Sequence, residues 1–586
     1  MTHPKGSDTP DEGRATSQAG RNSRAAGAQP QRPNVIALLI VIVASVSAML
    51  PLLLQPGLVR YFDWPLHLFW QQAFHDALSQ GIAYPRWLAT VNGHWGAPVF
   101  VFYPPLAYFV GALGVSVFGS AVAGLKLVFA AASVGVGVSS WVLLRAHALR
   151  WIAVMAAIAM ALSPQVLALG YRFNMPGAAL ALVFVPWVLA PLFTDISSTQ
   201  RRVLGVAVPF ALVIASHLPT ALQVGALACV IALVRSILSR ELRIWKVVSL
   251  GTIFGALLSA IYLLPALAEL GTVHADALLS GRTDIAFNLL YRSGTEGRPQ
   301  FHSDYGFFEW VNAVLAGAMV MCVANAARGG VRDEKFRRVA LPAAVAALLA
   351  FFLSTQWALP VYEWVRPLRF VQFGWRWQPL FLMLAVVAMV ASHACAIPRT
   401  SRKTPSGIVI AVICVGLAAS SLPLITLGGW AGLRSLERTD ARDIAWALTR
   451  LQHDTLEHRP RAMGEYWQAR LADDFTPTAL VIEGIGNIEP TGETHHFRSW
   501  RVDATTPLKL RLKTLCFPGW QASIDGLPTH HACDEKGGVI VSLPQGSVDL
   551  QLEFRSTSSR RSGAMISLAA LLIALWLAHR TRLRPR

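Results

Sequence analysis

The sequence predicts a polytopic α-helical membrane protein of about twelve spans that carries a β-sandwich-like domain outside the bilayer. Three observations predict it. Hydrophobic residues make up 54% of the 586 positions and charged residues only 14%, with a mean hydropathy of +0.46, a balance no ordinary soluble protein shows. Apolar stretches of spanning length recur along the chain, separated by short Lys/Arg clusters. Near the C-terminal end this pattern gives way to alternating strands and tight turns. The formal charge of +18 does not signal nucleic acid, because the basic residues sit between apolar segments, where they orient helices.

Residues 1–33 are rich in Gly, Ser, Pro and Arg and read as a disordered cytoplasmic tail. The first apolar segment, about 34–54, is long enough to span and is followed by Pro51 and Gln55-Pro56 rather than a small-residue cleavage site, which argues against a cleaved signal peptide. Further spans are expected near 121–144, 151–168, 177–193, 202–217, 219–237, 247–267, 308–327, 339–354, 376–396, 408–427 and 561–578. Basic loops at Arg145/Arg150, Arg201/Arg202, Arg235 to Lys246, Arg328 to Arg338 and Arg399 to Lys403 belong together on the cytoplasmic side, with both termini. That parity holds only if 102–118 does not cross. It opens Phe102-Tyr103-Pro104-Pro105 and reads as a helix lying on the outer leaflet, so that 55–120 forms one external loop within a membrane domain of 34–427.

Residues 428–560 form an external α+β domain. Its first part, about Ala441 to Leu471, reads as helical, and the stretch from about 480 to 556 reads as the β-sandwich, with turns at Pro518-Gly519 and Asp525-Gly526. Residues 561–586 are a last span and a basic cytoplasmic tail. Four of the six cysteines lie in expected spans; Cys516 and Cys533 are the pair in the external domain, where an oxidising compartment favours a disulfide. His530, His531 and Cys533 lack a second ligand pair and do not make a zinc site, and there is no Gly-x-Gly-x-x-Gly after a strand.

Chemistry is concentrated in the external loops. Asp63, in Tyr61-Phe62-Asp63-Trp64-Pro65-Leu66-His67, is a carboxylate among aromatics at the bilayer surface, suited to act as a base, a metal ligand or half of an ion pair; the structural alternative is a helix cap beside an interfacial anchor. His217, Arg172 and Asn174 lie at outer helix ends. Arg366, Arg369 and Arg376 stand among aromatics on the side where the positive-inside rule does not put them, and paired guanidiniums suit an anionic headgroup, a phosphate above all.

The runs Asp63-Trp64-Pro65-Leu66-His67, Gly81-Ile82-Ala83-Tyr84-Pro85-Arg86-Trp87, then Gly96 and Phe102-Tyr103-Pro104-Pro105-Leu106-Ala107-Tyr108, His217-Leu218-Pro219-Thr220, Phe370-Val371-Gln372-Phe373-Gly374-Trp375-Arg376, Glu465-Tyr466 and Phe517-Pro518-Gly519-Trp520 to Asp525-Gly526 resemble the bacterial membrane family labelled 6-pyruvoyl-tetrahydropterin synthase-related. Nothing in them is similar to a soluble pterin enzyme. That family in turn resembles GT-C glycosyltransferases, which use polyprenyl-phosphate-linked sugars. The resemblance implies a multi-pass protein of the bacterial inner membrane, with the large C-terminal domain on the periplasmic side. Its partners would be membrane lipid, a polyprenyl-phosphate-sugar donor and an envelope glycan, lipid or protein acceptor, with no nucleic acid. Asp63 would be the catalytic acid/base; His67, Arg172, His217, Arg369 and Arg376 would bind phosphate or sugar, with Tyr103, Glu465 and Tyr466 lining the site. No cofactor is implied, and dependence on a divalent metal stays open. Asn174 stands where such transferases often carry a second acidic residue. Two other classes compete: a transporter or flippase of a lipid-linked solute, for which Lys126 is the candidate buried charge, and a non-catalytic envelope scaffold built around the β domain.

Overall fold

The computed structural model describes residues 35–60, 63–194, 198–291, 306–330, 333–396, 405–427, 439–449, 456–468 and 478–583. The N-terminal tail 1–33 and the Arg399–Lys403 loop lie outside the described residues.

Nine helices among the described residues are long and apolar enough to cross a bilayer: Val35–Leu54, Ala121–Leu144, Arg150–Tyr171, Pro176–Phe193, Leu218–Ser239, Glu309–Arg328, Phe336–Ser354, Gly374–Cys395 and Ser558–Thr581. A tenth expected span, Arg243–Leu258 with Ala260–Ala268, bends by 83° where the two helices meet. The remaining two of the expected twelve are helical but fall short. Thr199–Ser216 opens with Arg201 and Arg202, and Pro405–Ala419 has only 15 residues, about 22 Å against the roughly 30 Å hydrocarbon core. Prolines start several of these helices within the first turn, where the missing N–H costs nothing, as at Pro164, Pro176 and Pro219.

The basic loops meet at one end of the bundle. Arg202 and Arg235 both bond the Glu241 carboxylate, and Arg338 approaches it at 4.0 Å. Lys335 donates to the His147 carbonyl at 2.8 Å, and Arg201 donates to the Thr581 carbonyl near the end of the last helix. Helix Ala121–Leu144 runs from the first loop to this end, so the Asp63 hairpin lies at the other.

The 55–120 loop holds two helices of more than one turn, Trp64–Ser79 and Leu106–Phe118, with the four-residue Val99–Phe102 between them. The second has 13 residues, about 20 Å of helix and too short to span. It lies against Ala121–Leu144 through facing glycines: a Cβ on Gly114 would come within 2.9 Å of Gly124 Cα. Its outer face exposes Leu113, Val117 and Phe118, as an interfacial helix should.

The C-terminal domain is two antiparallel sheets. With β1 (Ala479–Glu483), β2 (Gly486–Glu493), β3 (Phe497–Ala504), β4 (Leu508–Leu515), β5 (Trp520–Ile524), β6 (Leu527–Thr529), β7 (His531–Cys533), β8 (Gly538–Leu543) and β9 (Gly546–Phe554), the orders are β1-β4-β8-β7 and β2-β3-β9-β5-β6. Alternate residues of β4, Leu508, Leu510 and Leu512, are buried with Val539 and Val541 of β8, and they share a core with Trp500, Val502, Leu550 and Leu552 of the other sheet. Asp525 and Gly526 both take positive φ, 50° and 78°, the two-residue turn that joins β5 to β6. Cys516 and Cys533 are disulfide-bonded with their Cα atoms 5.9 Å apart. Among the described residues, the stretch read as helical from Ala441 to Leu471 holds the helix Ala441–Thr449 and 3-10 turns at Leu456–His458 and Arg461–Gln468.

This core is not closed by its own strands. Trp87, Ala89, Trp95 and Val101 of the first external loop belong to it, and the Trp87 ring lies 5.3 Å from Trp520, 5.5 Å from Phe554 and 6.0 Å from Phe517. Leu515 donates its backbone N–H to the Trp95 carbonyl, and Arg498 reaches the His94 carbonyl at 3.0 Å. The loop that carries Asp63 and the β domain therefore form one packed unit.

Candidate active site

Asp63 stands at the N-terminal cap position of helix Trp64–Ser79, yet its side chain makes no capping bond. The cap alternative therefore accounts for its place in the chain and not for its carboxylate, which accepts no hydrogen bond among the described residues. The hairpin ahead of it is held from two sides. Leu58 exchanges hydrogen bonds with Thr439, its N–H to Oγ1 at 2.8 Å and its carbonyl to the Thr439 N–H at 2.9 Å. The buried Asn174 amide donates to the Val59 carbonyl at 3.0 Å. Asn174 thus braces the backbone that delivers Asp63.

Burial raises the Asp63 pKa to about 6, with the Arg376 guanidinium pulling the other way. A carboxylate taken out of water without hydrogen-bond donors holds its proton more tightly, and a nearby cation offsets only part of that cost. One helical turn on, His67 Nδ1 lies 2.5 Å from the Tyr108 hydroxyl, and burial holds its pKa down at about 3, so the ring is neutral at physiological pH. The Tyr103 and Tyr108 hydroxyls hydrogen-bond each other. Gly177, beside the Tyr103 hydroxyl, allows the close approach of the Ser216 carbonyl, which a Cβ there would meet at 2.6 Å.

His217 caps the next helix, its Nδ1 2.8 Å from Thr220 Oγ1. Its pKa is pushed well below the ordinary value by burial, then by Arg376 and by His67. Arg376 is held by its own loop, donating to the Val371 carbonyl at 2.9 Å and to Gln372 Oε1 at 2.8 Å, with its guanidinium 4.9 Å from the Phe373 ring centre. Trp375 beside it stacks on Phe173 at 4.7 Å, which ties this loop to the turn carrying Arg172 and Asn174. Arg172 is 2% exposed.

Asp63, His67, Tyr103, His217 and Arg376 are therefore electrostatic neighbours, drawn from four chain segments. Arg369 is engaged elsewhere: its guanidinium meets Asp284 at 3.0 Å and the Leu279 carbonyl at 3.2 Å. Glu465 and Tyr466 lie exposed on the turn that packs on the β domain, where Lys536 sits 5.8 Å over the Tyr466 ring. Lys126, the buried cation expected of a transporter, donates to the Gln55 carbonyl just past the first span. His531 and Cys533 lie on β7, with Cys533 in the disulfide.

Three members of this neighbourhood receive no role from the sequence. Tyr108 closes the run Phe102-Tyr103-Pro104-Pro105-Leu106-Ala107-Tyr108 without standing out in it; Trp70, 5.2 Å from Tyr103, reads as an ordinary interfacial aromatic. His458, 5.6 Å from Trp70 and stacked at 6.3 Å on Phe102, is more than 350 positions away along the chain.

Among solved structures, the chain is similar to the arabinofuranosyltransferase AftD from Mycobacteria (18% identity, TM-score 0.44, covering 68% of this chain and 27% of that one). It is also similar to ArnT from Cupriavidus metallidurans bound to undecaprenyl phosphate (17% identity, TM-score 0.44, covering 71% of this chain and 70% of that one). The chain thus spans about a quarter of the AftD chain it matches. No curated protein matches it. Residues 100–426 match the model of the 6-pyruvoyl-tetrahydropterin synthase related domain, described as a membrane protein, and with more than half of its length so matched the chain belongs to that family.

Proposed function

We propose that the protein is a membrane glycosyltransferase that moves a sugar from a polyprenyl-phosphate donor to an envelope acceptor on the external face of the bacterial inner membrane. The observation that carries this reading is the state of Asp63: partly buried, accepting no hydrogen bond among the described residues, its pKa raised to about 6 by burial, with the Arg376 guanidinium near enough to pull it back. That is how a general base near its working pH is held. In an inverting transfer the acceptor hydroxyl attacks the anomeric carbon and gives its proton to Asp63. The bond from that carbon to the lipid-phosphate oxygen breaks, and the electron pair leaves with the phosphate. Arg376 neutralises the charge that grows there. His67 and His217, both neutral, are suited to hydrogen-bond the sugar or phosphate, and Arg172, on the turn that Trp375 packs against, is the second guanidinium assigned to the phosphate.

Two features weigh against the competing classes. A scaffold has no need to hold a desolvated carboxylate against an arginine, and Lys126 caps a helix end instead of sitting at mid-bilayer. The test is mass spectrometry of envelope glycans and lipids from cells with the intact protein, without it, and with Asp63→Asn. A sugar modification that disappears in both altered strains is expected; identical profiles in all three would remove the proposal. For the sidedness, a cysteine introduced at Thr505 should be labelled by an impermeant reagent added outside and one at Ala148 should not, the reverse pattern inverting the topology.

A further inference from the structure

The loop that carries Arg376 contains a backbone turn that its residue type does not favour. Gln372 takes φ 63° and ψ −39°, and across it the Phe373 N–H donates to the Val371 carbonyl at 2.7 Å. This is the γ-turn of positive φ, which is rare and strained for a residue with a Cβ. Such a turn persists only where its surroundings over-determine it. Val371, just before it, is fully buried. Just after it Gly374 lies against neighbouring backbone, where a Cβ would meet the Ser354 carbonyl at 2.5 Å, and Trp375 is held by its stack on Phe173.

The Gln372 side chain, itself buried, uses both halves of its amide. Oε1 accepts from Arg376 Nη1 at 2.8 Å, and Nε2 donates to the Leu278 carbonyl at 3.4 Å. The two amide ends cannot be exchanged, because a guanidinium only donates and a carbonyl only accepts. The same Nη1 also donates to the Val371 carbonyl at 2.9 Å, the carbonyl that closes the γ-turn. The turn therefore brings two acceptors, Val371 O and Gln372 Oε1, onto one nitrogen of Arg376. A turn needed for shape alone would be filled better by glycine, which takes positive φ at no steric cost.

We infer that Gln372 is a positioning residue, held in a strained turn so that its amide fixes the Arg376 guanidinium by one nitrogen and ties it to the external Ala275–Leu279 turn. A guanidinium is a rigid planar fork, so holding one nitrogen against two acceptors sets the direction of its other donors. Stabilising the charge on a departing phosphate depends on donors already aimed where that charge develops. An Arg376 left to rotate keeps its charge and loses that aim. The inference deepens the transferase reading and rests on it for turnover, but the dependence of phosphate binding on Gln372 is measurable with no sugar moved.

The experiment uses the full-length protein in lipid nanodiscs, with undecaprenyl phosphate as the probe and binding read by native mass spectrometry. Gln372→Gly removes the amide and relieves the backbone, so its thermal midpoint should equal or exceed that of the unaltered protein. Its binding of undecaprenyl phosphate should weaken by about threefold or more, and where turnover is measured kcat should fall by about tenfold or more with the acceptor KM unchanged. Gln372→Asn, which tolerates positive φ but is one methylene short of Arg376, should lose function in the same way. In an Arg376→Gln background Gln372→Gly should cost nothing further, because the residue acts through that guanidinium. Full binding and turnover in both Gln372 variants, a loss that persists undiminished without Arg376, or no binding by the unaltered protein overturns the inference. A lowered midpoint in both variants with function lost in proportion also overturns it, since the amide then serves the fold alone. Gln372-dependent binding with no sugar transferred by the unaltered protein overturns the transferase reading and leaves the positioning role standing.

Discussion

Two carboxylates in this molecule, Asp63 and Glu269, are both withdrawn from bulk water, and they are treated in opposite ways. Glu269 is saturated: Oε1 accepts from Thr557 and Ser559 at 2.6 Å each, and Oε2 takes Arg560 at 2.7 Å. Arg560 is itself spent on the Pro518 and Arg555 carbonyls and lies 4.6 Å over the Phe554 ring. This knot joins the bent helix, the last helix and the β domain, and both oxygens of Glu269 accept hydrogen bonds in it. Asp63 has a cation for a neighbour and, among the described residues, no donor for its oxygens. A saturated buried carboxylate holds structure together, whereas one left short of donors has a displaced pKa and a proton to exchange.

Exchanging each acid for its amide separates the two. Asp63→Asn should lower turnover by about 10²–10⁴-fold, the usual contribution of a general base, without lowering the thermal midpoint. Glu269→Gln leaves Arg560 buried against a neutral partner and should cost about 3–5 kcal/mol of stability, with activity lost only as the fold is lost. Turnover and thermal unfolding measured side by side decide this. If Asp63→Asn is the destabilised variant and Glu269→Gln the inactive but stable one, the assignment of roles is inverted.

The second expected effect also concerns the structural side. The Cys516–Cys533 bridge links residues 17 apart and should contribute about 3 kcal/mol by restricting the unfolded chain. Cys516→Ser with Cys533→Ser should lower the denaturation midpoint of the β domain by that amount. Because Trp87 and Trp95 of the first loop share its core, the loss should also loosen the Asp63 hairpin, seen as faster amide exchange around residues 87–97.

Acidity gives a smaller, more specific effect. With Asp63 near 6, the rate should rise with pH through about 6 as the base loses its proton, and Arg376→Gln should move that limb upward, since the guanidinium favours the charged form. The stability sign is opposite. The folded state keeps the Asp63 proton between its ordinary value of 3.8 and about 6, so folding weakens as pH rises through that window and the cost persists above it. Asp63→Asn should remove the cost, at most about 3 kcal/mol. A rising limb that stays put in Arg376→Gln would separate the two residues and sharpen the contrast with Glu269.

The membrane architecture and the β domain were legible because their signals are local: apolar length, basic loops, and alternation punctuated by Asp-Gly and Pro-Gly turns. The exception was the helix near 247–267, which is apolar throughout and gave no sign of the 83° bend. Bends of that kind are set by what packs on either side, here the last helix, where a Cβ on Gly563 would meet the Ala260 carbonyl at 2.4 Å. Asp63, His217 and Arg376 stood out because each is a polar residue in an apolar or aromatic setting. His458 did not, because a histidine in a polar stretch draws no notice, and only the tertiary fold brings it against Trp70 and Phe102. Arg369 and Arg376 are alike in sequence, seven positions apart and both among aromatics; Asp284, which occupies Arg369, is 85 residues from it, beyond any local pattern.

The smallest expected effect concerns an acid of the segment that joins the membrane domain to the β domain. His458 of that segment packs on Trp70 and Phe102, whereas Glu465, past the kink at Gly464 (φ 49°, ψ −129°), is exposed, and Tyr466 lies beneath Lys536 on the β domain. An exposed carboxylate exerts little force on a distant reaction, since solvent screens it within about a Debye length. Glu465→Gln should therefore change turnover by less than about twofold and the stability by less than about 0.5 kcal/mol. A loss of turnover in Glu465→Gln approaching that of Asp63→Asn would mean that an exposed acid takes part in the reaction, and burial would no longer separate the working carboxylates from the others.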